Sequence, residues 1–336
     1  MSDAAVLVSH PWCNAHDTGP GHPESRARLP ALLDALRRDA ALAGGALREV
    51  EARPARLQDL LLVHTPEHVA GVERAGKRAR ETGSIVWLDP DTAVSEASFE
   101  AARASAGCAI CAVEEVVRGE AAGAFAACRP PGHHAIAGEA MGFCLFDNVA
   151  VAARYAQRRL GIERVLIVDW DVHHGNGTQE IFWEDPSVYL LSLHLRPHYP
   201  GTGAASERGG SAGAGTTRNV PLPVGTSAAE YRRAFSAALG SALDEFSPEL
   251  VLVSAGFDCL AGDPLGGLEL DPEDLHAVAA ELVERTRVTA GGRIAAVLEG
   301  GYVPERMGQA AVNVVRAFVG LPAAPAFEDR PPASPA

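Results

Sequence analysis

Short runs of β-branched and aliphatic residues alternate along this chain with segments of helical periodicity, and that alternation restricts the fold more than any other feature. The apolar runs lie at 5–8, 124–128, 165–168, 188–193, 250–254 and 294–298 and read as buried strands. Helical patterns occupy 25–38, 66–75, 95–117, 148–159, 228–246, 272–289 and 304–319. The expectation is an α/β fold: a single-domain open parallel sheet flanked by helices on both faces, with its active site at the C-terminal edge of the strands. One catalytic domain at 1–320 accommodates these elements, followed by a loosely ordered tail, rich in Pro and Ala, at 321–336.

Four of the apolar runs lead directly into polar residues. The run 124–128 enters Arg129 to His134, 165–168 enters Asp169 to Asn176, 250–254 enters Gly256-Phe257-Asp258, and 294–298 enters Glu299 to Tyr302. Open parallel sheets bind ligands beyond the C-terminal ends of their strands, so these clusters are expected to converge on one site. Two segments without regular pattern, 10–23 and the glycine-rich 196–218, are expected to be functional or mobile loops.

The densest cluster is Asp169-Trp170-Asp171-Val172-His173-His174-Gly175-Asn176-Gly177-Thr178. A lone Asp-x-His would more often be a solvated turn. At the end of a buried strand, however, unpaired carboxylates are costly, and a metal relieves their repulsion. With the second acidic site at Asp258, two carboxylates and an imidazole suit zinc and leave positions for water and a carbonyl oxygen. Hydrolysis also needs a group to take a proton from water and give one to the leaving amine. His133 and His134, approached through the stiff Pro130-Pro131-Gly132, supply candidates. Tyr302, in Glu299-Gly300-Gly301-Tyr302, offers a phenol donor for a tetrahedral oxyanion, although a tyrosine taken alone is more often a packing residue.

Bulk properties narrow the partners. A formal net charge of -14 disfavours a general grip on nucleic acid phosphates. Six cysteines in 336 residues do not form a secreted disulfide framework, and reduced thiols are expected. Cys108 and Cys111 form a Cys-x-x-Cys whose helical spacing is expected to put both on one buried face, as core packing. No apolar stretch reaches the ~20 residues that span a bilayer, and the first residues lack a basic leader, so a cytoplasmic location with no membrane partner is expected.

Arg129-Pro130-Pro131-Gly132-His133-His134-Ala135, Gly142-Phe143-Cys144-Leu145-Phe146-Asp147-Asn148, the run from Asp169 to Thr178, Gly256-Phe257-Asp258 and Glu299-Gly300-Gly301-Tyr302 together resemble the histone deacetylase family. Their order and spacing match from His22 to Tyr302. The resemblance implies zinc ligands at Asp171, His173 and Asp258, a catalytic pair at His133 and His134, and Tyr302 polarising an acyl carbonyl. It implies tunnel walls at Phe143 and Tyr199, and a Gly142 carbonyl that accepts the scissile N–H. Asp169 would hold His133 and Asn176 would hold His134. Class I relatives carry Asp where this chain has Asn176, which points to class II together with Gly19-Pro20-Gly21-His22-Pro23-Glu24-Ser25. A potassium ion behind the zinc would use Asp169, Asp171 and His173 with Ser192 and Leu193.

The implied activity is metal-assisted hydrolysis of an N-acyl group from an acyl-lysine side chain or another acylated amine, with His134 as base and then acid and self-association left open. Arginase-like ureohydrolases resemble the chain in sheet topology, but their second manganese needs acids where this chain has Gly175 and Leu260. A non-catalytic binding module would have lost a ligand, a histidine or Tyr302, and none is lost. Acetylpolyamine amidohydrolases resemble the chain at every catalytic residue. Some polyamine-selective relatives carry an acidic gatekeeper where this chain has Leu265, an apolar residue without counter-charge for a second ammonium.

Overall fold

The structure, a computed structural model, describes residues 3–325. Its strands are β1 (Ala5–Ser9), β2 (Leu47–Glu51), β3 (Val86–Trp87), β4 (Ala93–Val94), β5 (Ala124–Ala126), β6 (Val165–Asp169), β7 (Val188–Leu195), β8 (Thr217–Leu222), β9 (Leu250–Ala255) and β10 (Ile294–Leu298). Eight of them form one sheet in the order β2-β1-β5-β10-β9-β6-β7-β8, with every neighbouring pair parallel. The remaining two, β3 and β4, form a small antiparallel pair.

The helices are α1 (Arg28–Arg38), α2 (Leu57–Leu60), α3 (Pro66–Thr82), α4 (Ser98–Val117), α5 (Asn148–Arg159), α6 (Asn176–Phe182), α7 (Ala228–Glu245), α8 (Pro272–Ala290) and α9 (Pro304–Phe318). They fall into two packed layers. One runs through α1, α9, α8 and α7, and the other through α3, α4, α5 and α6, with α4 against β1, β5 and β10. Strands covered on both sides bury nearly every side chain, and β6, β7, β9 and β10 are buried at every position.

The sequence expectations hold for the central elements and fail at the edges. The strand β2 mixes half-buried and exposed residues, Leu-Arg-Glu-Val-Glu, and an edge strand carries no continuous apolar run to find it by. The segment 196–218 ends inside β8, which holds Arg218 and Asn219 and pairs with β7 from Leu190 to Leu195. Asn176 is the first residue of a short helix, α6, absent from the expected helical patterns. Cys108 is buried and Cys111 only partly so. Both pack against the same core, and Cys108 also meets Cys13, with the sulfurs 3.9 Å apart.

Of the expected tail, 326–336 lies outside the described residues. The preceding residues are tied down: His276 Nε2 donates to the Leu321 carbonyl at 2.8 Å, and the Ala324 N–H donates to Asn313 Oδ1 at 2.9 Å.

The strand order explains the position of the site. The chain steps outward from β6 to β7 and β8, then returns to place β9 on the other side of β6 and β10 beyond it. The reversal opens a crevice beyond the ends of β6 and β9, where Asp169 stands opposite Ser254. The four strands followed by polar clusters, β5, β10, β9 and β6, are consecutive in the sheet.

Candidate active site

Asp171 and His173 follow β6, and Asp258 follows β9. One ligand atom from each comes within 4.8 Å of the others, and all three residues are buried. His173 Nδ1 faces two carboxylates, Asp171 Oδ1 at 3.0 Å and Asp258 Oδ2 at 3.2 Å. The backbone orients the acids: the Val172 N–H donates to Asp258 Oδ1 at 2.8 Å and the Gly300 N–H to Asp171 Oδ2 at 2.8 Å. Asp258 Oδ2 remains buried without a hydrogen bond. A Cβ on Gly300 would stand 2.0 Å from that oxygen, so glycine is needed for the two acids to approach this turn.

Electrostatics show what the cluster lacks. Burial, then the neighbouring Asp171, push the Asp258 carboxyl up to about 7 despite His173. Burial also disfavours a charge on His173, yet the Asp171 and Asp258 carboxylates beside its Nδ1 outweigh this and raise it to about 10. Two buried acids and one imidazole thus demand positive charge between them. An orphaned acid oxygen in such a set fits a divalent cation of the zinc type.

Beside this cluster the two adjacent histidines, with ring centroids 4.1 Å apart, are held differently. His133 Nδ1 lies 3.0 Å from Asp169 Oδ2, and its Nε2 lies 3.8 Å from Asp171 Oδ1. Burial opposes its charge, but Asp171 and Asp169 prevail and raise its pKa well above the ordinary imidazole value. His134 Nδ1 lies 2.7 Å from Asn176 Oδ1. Burial, reinforced by His133 and His173, lowers the His134 pKa well below the ordinary value. Carboxylates thus favour the charged form of one ring, and burial favours the neutral form of its neighbour.

Tyr302 stands after β10 with its ring edge-on to Phe143, centroids 6.0 Å apart. Phe143 in turn meets His22 at 4.7 Å. Tyr199 lies against His134 and His173, at 5.1 and 6.2 Å. The two aromatic side chains thus have different ring neighbours. The Gly142 carbonyl accepts a bond from the Cys144 thiol, sulfur to oxygen 3.3 Å. Leu265 is partly buried, and its carbonyl accepts from His198 Nε2 at 2.9 Å. Ser192 stands opposite Asp169 in the β6–β7 register, its hydroxyl 2.9 Å from His194 Nδ1, and Leu193 is buried beside it.

Several further residues, to which the sequence assigned no role, support the site. Arg28, a buried cation on α1, donates to the Glu299 and Gly301 carbonyls at 2.5 and 2.6 Å, and its guanidinium carbon lies 5.1 Å from the Tyr302 ring centroid. Glu24 joins it to Arg129: Arg28 donates to Glu24 Oε1 at 2.8 Å, and Arg129 to Oε1 and Oε2 at 2.5 and 2.6 Å. Asp263 Oδ2 accepts the Tyr302 N–H at 2.7 Å, and its Oδ1 accepts the Leu265 N–H at 2.9 Å. Asp147 caps α5 through the Ala150 N–H and accepts the Thr178 hydroxyl from α6. Glu24, Arg129 and Asp147 lie inside conspicuous motifs, but Arg28 and Asp263 do not.

The histone deacetylase domain matches residues 22–318 of the chain. A protein of Pseudomonas aeruginosa named histone deacetylase-like amidohydrolase is 42% identical over 83% of this chain and 71% of its own length. The mouse protein named polyamine deacetylase HDAC10 is 41% identical over 97% of this chain and 48% of its own length. The crystal structure of the HDA15 HD domain matches with a TM-score of 0.88 at 36% identity, covering 97% of this chain and 91% of that one. The chain belongs to the histone deacetylase family and is a hydrolase acting on amides.

Proposed function

We propose that the protein is a zinc-dependent deacetylase that removes acyl groups, acetyl foremost, from the side-chain amine of lysine or a similar alkylamine. The observation that carries this reading is the unequal pair at His133 and His134 beside the Asp171, His173 and Asp258 cluster. Zinc held by those three residues would supply Lewis-acid polarisation of the acyl carbonyl and a water that ionises near neutral pH.

The other roles belong to this chain's side chains. His134 is neutral, and with Nδ1 turned toward Asn176 it takes the proton of the attacking water at Nε2 and returns it to the departing amine. His133 stays protonated against Asp169 and balances the charge that develops on the acyl oxygen. The Tyr302 hydroxyl donates to that oxygen. Phe143 and Tyr199 flank an aliphatic chain, and Leu265 adds an apolar wall. The second lone pair of the Gly142 carbonyl receives the scissile N–H.

The finer assignments follow the same reasoning. Asn176 beneath His134 supports membership of class II. Ser192, in register with Asp169, supports a potassium site built with Asp171, His173 and Leu193. Six free thiols support a reducing compartment, for which the cytoplasm is our reading, and among the described residues no helix is long and apolar enough to cross a membrane. We take 1–320 as one catalytic domain.

A polyamine substrate is the second reading, supported by the name of the mouse relative and opposed by the apolar Leu265. Comparing kcat/KM of the zinc-loaded protein on acetyl-lysine peptides, longer acyl-lysines, acetylated polyamines and small acetamides separates the two. Preference for acetyl-lysine supports the first reading, and preference for acetylpolyamines replaces it with the second. No turnover of any acylated amine overturns both.

A further inference from the structure

Glu299 is a buried acid with no part in the chemistry just described. It ends the approach from β10, and its carboxylate turns back toward the segment that carries the histidines. The Gly132 N–H donates to Glu299 Oε2 at 2.6 Å, and the His133 N–H donates to the same oxygen at 3.2 Å. The other oxygen, Oε1, is buried without a hydrogen bond. Side chain and backbone of this one residue are thus fixed from opposite sides, because Arg28 holds its carbonyl at 2.5 Å.

Its neighbours give that grip a purpose. The next residue, Gly300, donates its N–H to Asp171, a member of the metal cluster. Gly132 admits no side chain: a Cβ there would stand 2.5 Å from the Asn148 nitrogen and 2.8 Å from the Phe146 carbonyl oxygen. The turn that presents His133 and His134 is therefore packed on one side against the start of α5 and hung on the other from Glu299 Oε2.

We propose that Glu299 is a positioning residue for the catalytic pair, setting the distance between the histidines and the metal cluster by tying the backbone of one to the strand end that orients the other. This rests on the reading of His133 and His134 as the acid–base pair. Burial, ahead of the opposing pull of His133 and the Gly132 N–H, raises the Glu299 pKa to about 8, which favours the neutral acceptor over the carboxylate. A neutral amide of the same length can do the same work. A side chain that is shorter, or apolar, cannot.

The test compares Glu299→Gln, Glu299→Leu and Glu299→Asp by two readouts, with zinc content measured in each. Amide hydrogen exchange at Gly132 and His133 should match the wild type in E299Q and run at least about tenfold faster in E299L and E299D. On the best substrate of the panel, E299Q should keep wild-type kcat. E299L and E299D should lose about 10²-fold in kcat, the cost of a reacting group displaced by ~1 Å, with KM and zinc content unchanged. Should E299L fail to fold, E299D carries the comparison. Undiminished protection of the two amides, wild-type kcat in E299D, or a KM or zinc defect as large as the kcat defect overturns the proposal. If the wild type hydrolyses no acylated amine, the exchange readout still decides whether Glu299 positions the turn, and the fault lies with the proposed function.

Discussion

Asn176 Oδ1 and His134 Nδ1 stand 2.7 Å apart, and the amide has no freedom to reverse its roles because Asn176 Nδ2 donates to the His134 carbonyl at 3.3 Å. The oxygen must therefore accept, Nδ1 must carry the hydrogen, and Nε2 is left with its lone pair toward the site. Partner choice at one position on α6 thus sets the tautomer of a residue 42 positions earlier in the chain.

Replacing that amide with an acid has a predictable sign. In Asn176→Asp a carboxylate beside His134 would favour its protonated form, raising a pKa that burial now holds low. A base with a raised pKa is lost at a higher pH, so the acid limb of the kcat/KM profile should move upward by about 1 pH unit or more. An unmoved limb would remove His134 from the role of base.

Tyr302→Phe keeps the ring against Phe143 and removes only the hydroxyl. Turnover should fall by about 10²–10³-fold while zinc content and thermal stability stay near wild type. Near-normal kcat would make Tyr302 a packing residue.

Asp258→Ala removes the carboxylate whose Oδ2 has no hydrogen bond and leaves Asp171 and His173 without their third member. Zinc measured by elemental analysis should drop well below the wild-type content, and added zinc should not restore turnover. In the wild type, chelation should abolish turnover and zinc should recover it. Full zinc retention in the variant would show that the ligand set is wrong.

Glu24 predicts an acid sensitivity remote from the chemistry. Although burial opposes its charge, Arg129 and then Arg28 hold its carboxyl at about 2, below the ordinary 4.5. A lowered folded-state pKa gives stability that is complete above about pH 4.5 and lost as pH falls toward about 2. Glu24→Gln strands two buried guanidinium groups and should cost ~3–5 kcal/mol at pH 7. It should also flatten the dependence of Tm on pH between those values. A Tm within a degree or two of wild type would show that solvent reaches these arginines in the variant.

By itself the sequence determined the central sheet and the convergence of the four polar clusters, and it marked out the candidate reacting groups. Continuous apolar runs such as 165–168 report burial on both faces, and the residues directly after a buried parallel strand have one place to go, the C-terminal edge. Edge strands β2 and β8 stayed hidden because half-exposed strands leave mixed polarity, and α6 because seven residues are too few for a period to show.

Beyond the pairings that the resemblance implied, only the tertiary structure decided how the groups act on one another. Neither histidine of an adjacent pair is marked as acid or base by its own chemistry. Their opposite pKa shifts come from Asp171 and Asp169, which outweigh burial at His133, and from burial reinforced by His133 and His173 at His134. Arg28 and Asp263 likewise look like ordinary charged residues along the chain, and the motif around Glu24 gives no sign of its partners. They become supports of the Tyr302 turn because the fold buries them where their hydrogen-bond and charge requirements can be met by one another or by the backbone of that turn.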